Sequence, residues 1–403
     1  MPPHRFLHAA DLHLDSPFSG LSAKEPELAK RLRDASLEAL DRLVDAAVES
    51  SCHFVVFAGD IYDGLERGVR AQLALQKAAE RLDAAEIPLV MLHGNHDPLD
   101  LGYTAVRKWP ASTTILSASE PQVVEIETPG GRVTITGQSY PAQKVTHSLA
   151  ASYPEPTDAG LHVAVLHTQL LQGGGTNPYS PCTLEDLKRT GFHYWALGHI
   201  HERAIYDKRG PVVAYPGNLQ GRHFRECGPR GALLVEGSPD CLKPTPLALA
   251  PVVFERVSLD VTGLEDLADV RTALPDAMPE HDGTTLLRAE LTGRSALFEA
   301  LHEAETREQL FETLGQESGD DTEWMEVRSD VEPNLPWEKL REQQSLAGAL
   351  VRRKHEPDEV RRLLDGARGL GRFARTLDGE ELETLCRRAL YRAVDAIHRT
   401  EAS

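Results

Sequence analysis

The chain has 403 residues, with 43 basic and 62 acidic side chains for a net charge of −19, and 41% of its residues are hydrophobic. At about 150 residues per domain, that length suggests two or three domains and a large buried core, which excludes disorder, collagen and disulfide-scaffold classes for the chain as a whole. The acidic balance argues against a protein that coats nucleic acid by charge alone, but not against an enzyme that holds cations in a carboxylate-rich cleft. No run approaches the ~18 apolar residues of a membrane helix. The apolar start of the chain is cut by His8 and Asp11, unlike a signal peptide, so a cytoplasmic protein without membrane contact is expected. Cys52, Cys182, Cys227, Cys241 and Cys386 form no CxxC pair, which removes zinc ribbons and redox dithiols.

Along the chain, short apolar runs of strand length recur at Arg5–Ala10, Phe54–Ala58, Pro88–Leu92, His162–Leu166, Tyr194–Leu197, Val212–Tyr215 and Gly231–Val235. Between the first two, Leu28, Leu32, Ala35, Leu40, Leu43 and Ala47 lie on one helical stripe, and residues 69–85 predict a second helix. Strand–helix–strand alternation favours a layered α/β fold, and the close spacing of the later strands predicts a mixed sheet. Residues 238–251 hold four prolines and read as a linker. A strand over 252–261, a helix over Leu264–Leu274 and a strand over 284–293 then predict a small α/β module. Residues 301–350 are strongly acidic, with 13 acids against 4 bases. The end of the chain predicts a helix with Leu382, Leu385, Ala389, Ala393 and Ile397 on one stripe.

The residues suited to chemistry sit just after predicted strands: Asp11-Leu12-His13, Gly59-Asp60 with Asp63, Gly94-Asn95-His96-Asp97, His167, and Gly198-His199-Ile200-His201. Ligands of α/β sheets gather outside the carboxyl ends of strands, so five such ends would build one polar cluster. Carboxylate, imidazole and amide donors together suit Mn, Fe or Zn better than Ca or Mg. In extended backbone, the D-x-H and H-x-H pairs would each turn two side chains to one side. Seven candidate ligands are too many for one ion and suit two that share a carboxylate; such two-metal sites clamp both oxygens of a phosphoryl transfer.

This ordered set resembles the calcineurin-like metallophosphoesterase superfamily, and within it the SbcD/YhaO branch of DNA-repair nuclease subunits. The stretch Tyr215-Pro216-Gly217-Asn218, followed by Gly221-Arg222-His223-Phe224, is similar to that branch's signature after the last histidine. The resemblance implies a two-sheet sandwich flanked by helices, a smaller α/β cap domain and a helical C-terminal segment. The expected organisation is a nuclease domain over 1–237, a linker over 238–251, a cap over 252–335 and a partner-binding helical segment over 336–403. It implies one metal held by Asp11, His13, Asp60 and His201, and another by Asp60, Asn95, His167 and His199. His96 would face the substrate near the leaving group, with Asp63 or Asp97 orienting it. Arg222 and His223 are candidate phosphate contacts.

The implied activity is metal-dependent DNA phosphodiester hydrolysis in repair, as an exonuclease with an endonuclease activity also open. The implied chemistry is a hydroxide activated by two divalent ions, Mn by family expectation and Fe or Zn as alternatives. The implied partners are DNA, an SMC-like coiled-coil ATPase of the SbcC/YhaN type and a second copy of the chain. Hydrolysis of a small phosphoester, or a largely structural role in a repair complex, are the competing readings. His93 stands where phosphoprotein phosphatases of the superfamily carry arginine, which lowers the phosphoprotein reading. His4, His8, His53, His147, His162, His193 and His281 are expected to be ordinary core or surface histidines. Gly173-Gly174-Gly175 lacks the Lys-Ser/Thr of a P-loop and reads as a flexible loop.

Overall fold

The computed structural model describes residues 2–16, 26–64, 67–171, 179–206, 210–319, 321–352, 362 and 379–402. The Gly173–Gly175 loop lies outside the described residues. The chain divides into two compact units, one of Met1–Glu255 with His281–Thr285, the other of Arg256–Glu280 with Leu286–Ser403.

In chain order the first unit carries β1 (His4–Ala9), α1 (Pro26–Glu49), β2 (Phe54–Ala58), α2 (Val69–Ala84), β3 (Leu89–Leu92), β4 (Thr113–Ile115), β5 (Gln122–Thr128), β6 (Gly131–Gly137), β7 (Leu161–His167), α3 (Leu184–Lys188), β8 (Tyr194–Gly198), β9 (Ala204–Tyr206), β10 (Val212–Tyr215), β11 (Gly231–Ser238) and β12 (Cys241–Ala248). They form two six-stranded sheets, ordered β12-β11-β1-β2-β3-β4 and β5-β6-β7-β8-β10-β9. β1 through β4 run parallel, whereas β11 pairs antiparallel with β1, and β5 and β9 pair antiparallel with β6 and β10, so both sheets are mixed.

Alternation along each strand explains the layering. Phe54, Val56 and Ala58 on β2 meet Leu161, Val163 and Val165 on β7 and Tyr194 and Ala196 on β8 between the sheets. The intervening Val55 and Phe57 face the other way, into a core shared with Leu40, Leu43 and Ala47 of α1 and Leu75, Ala79 and Leu82 of α2. Ala164 and Leu166 of β7, with Trp195 and Leu197 of β8, fill a third core on the outer face of the second sheet. Strands buried on both faces read as continuous apolar runs, which is why they were visible in the sequence. His8 lies in the sheet interface, fully buried, with its ring at hydrogen-bond distance from Tyr194 Oη (3.0 Å) and Leu197 O (3.2 Å).

The segment expected as a linker is mostly β12. It pairs with β11 in continuous register, with Val235 opposite Pro244 and Leu233 opposite Pro246. Both prolines sit on the edge strand of the sheet, where a missing N–H leaves no ladder bond broken. The composition of a linker and of a proline-bearing edge strand is the same; only the partner strand distinguishes them. The compact units accordingly part between Glu255 and Arg256, not after residue 237.

The second unit takes β13 (Val252–Asp260), α4 (Leu267–Asp276), β14 (Thr284–Thr292), β15 (Arg294–Ser295), α5 (Phe298–His302), α6 (Ala304–Glu317), β16 (Thr322–Ser329), β17 (Glu332–Pro333), α7 (Trp337–Glu342), α8 (Leu346–Arg352) and α9 (Gly379–Ala402), with β13 and β14 beginning in the first. β13, β14 and β16 form a three-stranded sheet over Val257, Leu287, Leu291, Phe298 and Trp324. The cap and the helical segment expected as separate pieces belong to one unit. α9 is helical as expected, and Leu382 and Ile397 of the expected stripe are packed, but the face is shifted: Val394 and Leu390 join Ile397 against Leu340 and Ala347, while Ala389 and Ala393 are exposed. Small side chains at helical spacing say little about which stripe is buried, because they contribute little apolar area. Among the described residues no helix is long and apolar enough to cross a membrane.

Candidate metal centre

Each candidate ligand stands at or just beyond the end of a strand of the first unit. β1 ends at Ala9 before Asp11 and His13; β2 ends before Gly59-Asp60; β3 before Asn95; β7 closes on His167; β8 ends before His199 and His201. The backbone there is not extended. Asp11 (φ 51°), His13 (φ 43°), Asp60 (φ 49°) and His199 (φ 99°) all have positive φ. Positive φ is costly for a side chain with a Cβ, on the order of 1–3 kcal/mol per residue, and such strain clusters at functional sites. The same-side alternation expected for D-x-H and H-x-H is therefore not what directs these side chains. The turned backbone does, and it sends His199 and His201 into different groups.

Two ligand clusters result, with a third group of His13, Asp63 and His96 that shares His13 with the first. Asp11, His13 and His201 offer atoms that lie within 4.8 Å of one another, and so do Asp60, His167 and His199. In the first, the Nε2 atoms of His13 and His201 are 3.2 Å apart, and His201 Nε2 is 3.8 Å from Asp11 Oδ1. In the second, His167 Nε2 is 3.3 Å from Asp60 Oδ2 and 3.0 Å from Asn95 Oδ1, which also lies 2.9 Å from His199 Nδ1. His167 Nδ1 donates to the Ala58 carbonyl at 2.9 Å, which leaves Nε2 free to act as a donor atom. Asp11 accepts the His199 backbone N–H, and Asp60 Oδ1 accepts that of His96, so the carboxylates also tie loops from different strands together.

The electrostatics favour a cation. Burial pushes the Asp11 carboxyl up. Burial would do the same to Asp60, but His167, His13 and His96 outweigh it and hold that carboxyl below its usual range. Burial would depress His167, but Asp60, Asp11 and the Ala58 carbonyl raise it to about 9. Burial first, and the neighbouring His167 second, hold His199 down at about 3, so it is neutral and able to ligate. A divalent ion bound there would take the place of the proton that the carboxylates hold on His167, because a ligating imidazole is neutral; oxygen and nitrogen donors together suit such an ion. Asp11, His13 and His201 would hold one ion and Asp60, Asn95, His167 and His199 the other, with Asp60 coupled by charge to His13 as well as to His167.

The remaining site candidates separate clearly. His96 is half exposed at the rim, with Nδ1 3.4 Å from Asp63 Oδ1. The Asp63 contact raises the His96 pKa. Asp63 also accepts from Ser16 Oγ at 2.5 Å and lies 3.2 Å from His13 Nδ1, a distance for an ion pair whose direction is off for a hydrogen bond. Contacts with His13 and His96 hold the Asp63 carboxyl well below the usual range. Asp97 does something else. It is fully buried, accepts the backbone N–H groups of Ile61, Tyr62 and Gly94, and faces His93 Nδ1 at 2.9 Å. Its carboxylate is spent bracing the Asp60 and Asn95 loops, so Asp63 and not Asp97 pairs with His96. Arg222 Nη1 is 3.4 Å from Asp63 Oδ1, beside the His96 corner. His223 is exposed and lies farther out, 3.6 Å from Glu226 Oε1.

One residue at the site was not singled out by sequence: Glu226. It is buried, and its Oε1 is 2.6 Å from His201 Nδ1. A glutamate in a polar loop after the last histidine carries no local signal; only the fold brings it behind that ring.

Comparison with known proteins identifies the family. Residues 4–203 match the calcineurin-like phosphoesterase family, and residues 254–332 match the middle domain of the metallophosphoesterase YhaO. The chain is 35% identical over 327 residues to the uncharacterized metallophosphoesterase YhaO of Bacillus subtilis, across 76% of this chain and 79% of that protein. It is 26% identical over 267 residues to the DNA double-strand break repair protein Mre11 of Haloferax volcanii, spanning 66% of this chain but 57% of that protein. Among solved structures, a dimetal phosphatase from Danio rerio matches at a TM-score of 0.37 and 14% identity, over 60% of this chain and 99% of that one. By these matches, and by its two mixed sheets flanked by helices, this chain belongs to the calcineurin-like metallophosphoesterase family, in the SbcD/YhaO-like branch.

Proposed function

We propose that this metallophosphoesterase is a DNA phosphodiesterase, an exonuclease that acts in repair with manganese as its metal. The observation that carries the reading is the pair of ligand clusters beside a rim histidine, His96, whose charged form Asp63 supports. The similarity to the archaeal double-strand break repair protein favours DNA over a small phosphoester.

In this reading the two divalent ions, when bound, acidify a water and offset the phosphate charge. The protein does the rest. Asp11, His13 and His201 fix one side of the site, and Asn95, His167 and His199 the other, with Asp60 between them. Asp63 accepts from His96 Nδ1–H, which leaves Nε2–H to be given to the departing sugar oxygen. Arg222, held beside Asp63, offers guanidinium donors to a non-bridging phosphate oxygen. The proposal extends to a cytoplasmic location, to a coiled-coil ATPase partner for the helical end of the chain, and to self-association.

The test is cleavage of end-labelled linear duplex and single-stranded DNA by the purified chain with Mn, Mg or EDTA, beside Asp60→Ala. Mn-dependent shortening that Asp60→Ala abolishes supports the reading. Hydrolysis of a model phosphodiester with DNA left intact, even after the ATPase partner is added, overturns it in favour of a small phosphoester.

A further inference from the structure

We infer that Glu226 is a positioning residue for the metal centre: it holds His201 in the tautomer that presents a lone pair at Nε2. The inference rests on the metal reading above and deepens it.

His201 Nδ1 lies 2.6 Å from Glu226 Oε1. The other nearby group on that side is the Arg222 guanidinium, with Nη2 at 3.5 Å, and a guanidinium only donates. A proton on Nδ1 therefore goes to the carboxylate. With Nδ1 protonated, the neutral ring carries its lone pair on Nε2, the atom 3.2 Å from His13 Nε2 and 3.8 Å from Asp11 Oδ1. A carboxylate behind a ligating histidine fixes ring and tautomer and makes the ring a better donor. Glu226 is itself immobilised. Its second oxygen accepts from Asn218 Nδ2 at 2.9 Å and from the Arg222 backbone N–H at 2.8 Å. The same side chain thus ties the Asp11–His13–His201 group to the loop carrying Arg222.

This arrangement makes Glu226→Gln informative beyond a loss of charge. Two N–H donors converge on Oε2, so a glutamine amide places its oxygen there and turns its NH2 toward His201. An NH2 facing Nδ1 needs a lone pair on that nitrogen, which moves the ring proton to Nε2. The substitution preserves shape while reversing the tautomer of one ligand.

The experiment is calorimetric titration of metal-free full-length protein with MnCl2, for wild type, Glu226→Gln and Glu226→Ala. It is paired with long-range 1H–15N spectra of histidine-labelled metal-free protein. Wild type takes up two equivalents. Both variants lose affinity for one equivalent by about 10–100-fold and keep the other. In the spectra, the His201 ring proton sits on Nδ1 in wild type and on Nε2 in Glu226→Gln. A merely structural role would weaken both equivalents together, or neither, and would leave the tautomer unchanged. Two equivalents at wild-type affinity in both variants overturn the assignment of Glu226 and leave the metal reading standing. A wild-type chain that binds no divalent ion overturns both.

Discussion

At the residue scale, function rests on side chains whose environments differ sharply within one pocket. His199 is held neutral while His167, in the neighbouring loop, is drawn toward the cation. Both have the same ring and both lie near Asp60; His167 Nε2 meets that carboxylate at 3.3 Å and is raised by it, whereas burial and the charge of His167 outweigh it at His199. His96 donates its backbone N–H to Asp60, sets its ring edge-on to His13 with centroids 5.0 Å apart, and is exposed enough to meet a substrate. His96→Ala should lower turnover on the accepted phosphodiester by 10²–10⁴-fold, the usual worth of a positioned proton donor, while the calorimetric uptake of Mn stays at two equivalents. Asp60→Ala should behave in the opposite way, with metal uptake itself lost from both positions, because its carboxylate faces His167 and acts on His13 as well. Seven candidate ligands were legible in the sequence because each falls at or just after a predicted strand, three of them directly behind a glycine. Glu226 was not, since its partner lies 25 positions away and the contact exists only once the loops close.

At the element scale, the strand ends decide the site. The two sheets approach each other where β2 and β8 finish: a Cβ built on Gly198 would collide with the Ala58 carbonyl and come within 2.9 Å of His167 Nδ1. Glycine is required there by close approach of backbone, not by a positive φ. Gly198→Ala should destabilise the fold by about 1–3 kcal/mol, the cost of overpacking, read as a fall in the urea midpoint. It should also weaken metal binding, because the Ala58 carbonyl that must shift is the one orienting His167. Strands with both faces buried could be read from composition, and β2 and β10 match their predicted bounds residue for residue. β12 could not be, because a proline-bearing edge strand has the composition of a linker until its partner is known. The face of α9 was read in part for a related reason: Leu382 and Ile397 of the expected stripe are packed, but apolar identity at helical spacing leaves two adjacent stripes, and Leu340 and Ala347 select Leu390 and Val394 over Ala389 and Ala393.

At the scale of the molecule, the sandwich of the first unit has a titratable group in its middle. Burial holds His8 down at about 3, against an ordinary value of 6.5. The folded state disfavours the charged ring, so full stability is present above about pH 6.5 and is lost as the pH falls toward 3, by as much as about 4–5 kcal/mol. Urea midpoints measured in EDTA should fall across that window, and His8→Gln should flatten the slope between pH 6.5 and 5. Metal binding adds a second, separable contribution. At a free metal concentration 100-fold above the dissociation constant, stability should rise by about 2.7 kcal/mol per site, visible as a melting temperature that drops on adding EDTA. Asp60→Ala should show no such drop.

The amino-acid order by itself determined the layered α/β class, the buried strands and the set of candidate ligands. Those depend on local periodicity and on chemistry confined to a few adjacent residues. It also carried the spacing of five motifs whose joint occurrence names the family. What only the tertiary structure decided is how those residues are aimed. Positive φ at Asp11, His13 and His199 replaced the extended alternation expected of the D-x-H and H-x-H pairs. Asp97 became a brace and Asp63 the partner of His96, two aspartates of similar motif position told apart by which backbone N–H groups lie near. The physical reason is common to all of these: hydrogen bonds and charge act through space over a few ångströms, between residues that the chain separates by tens to nearly two hundred positions.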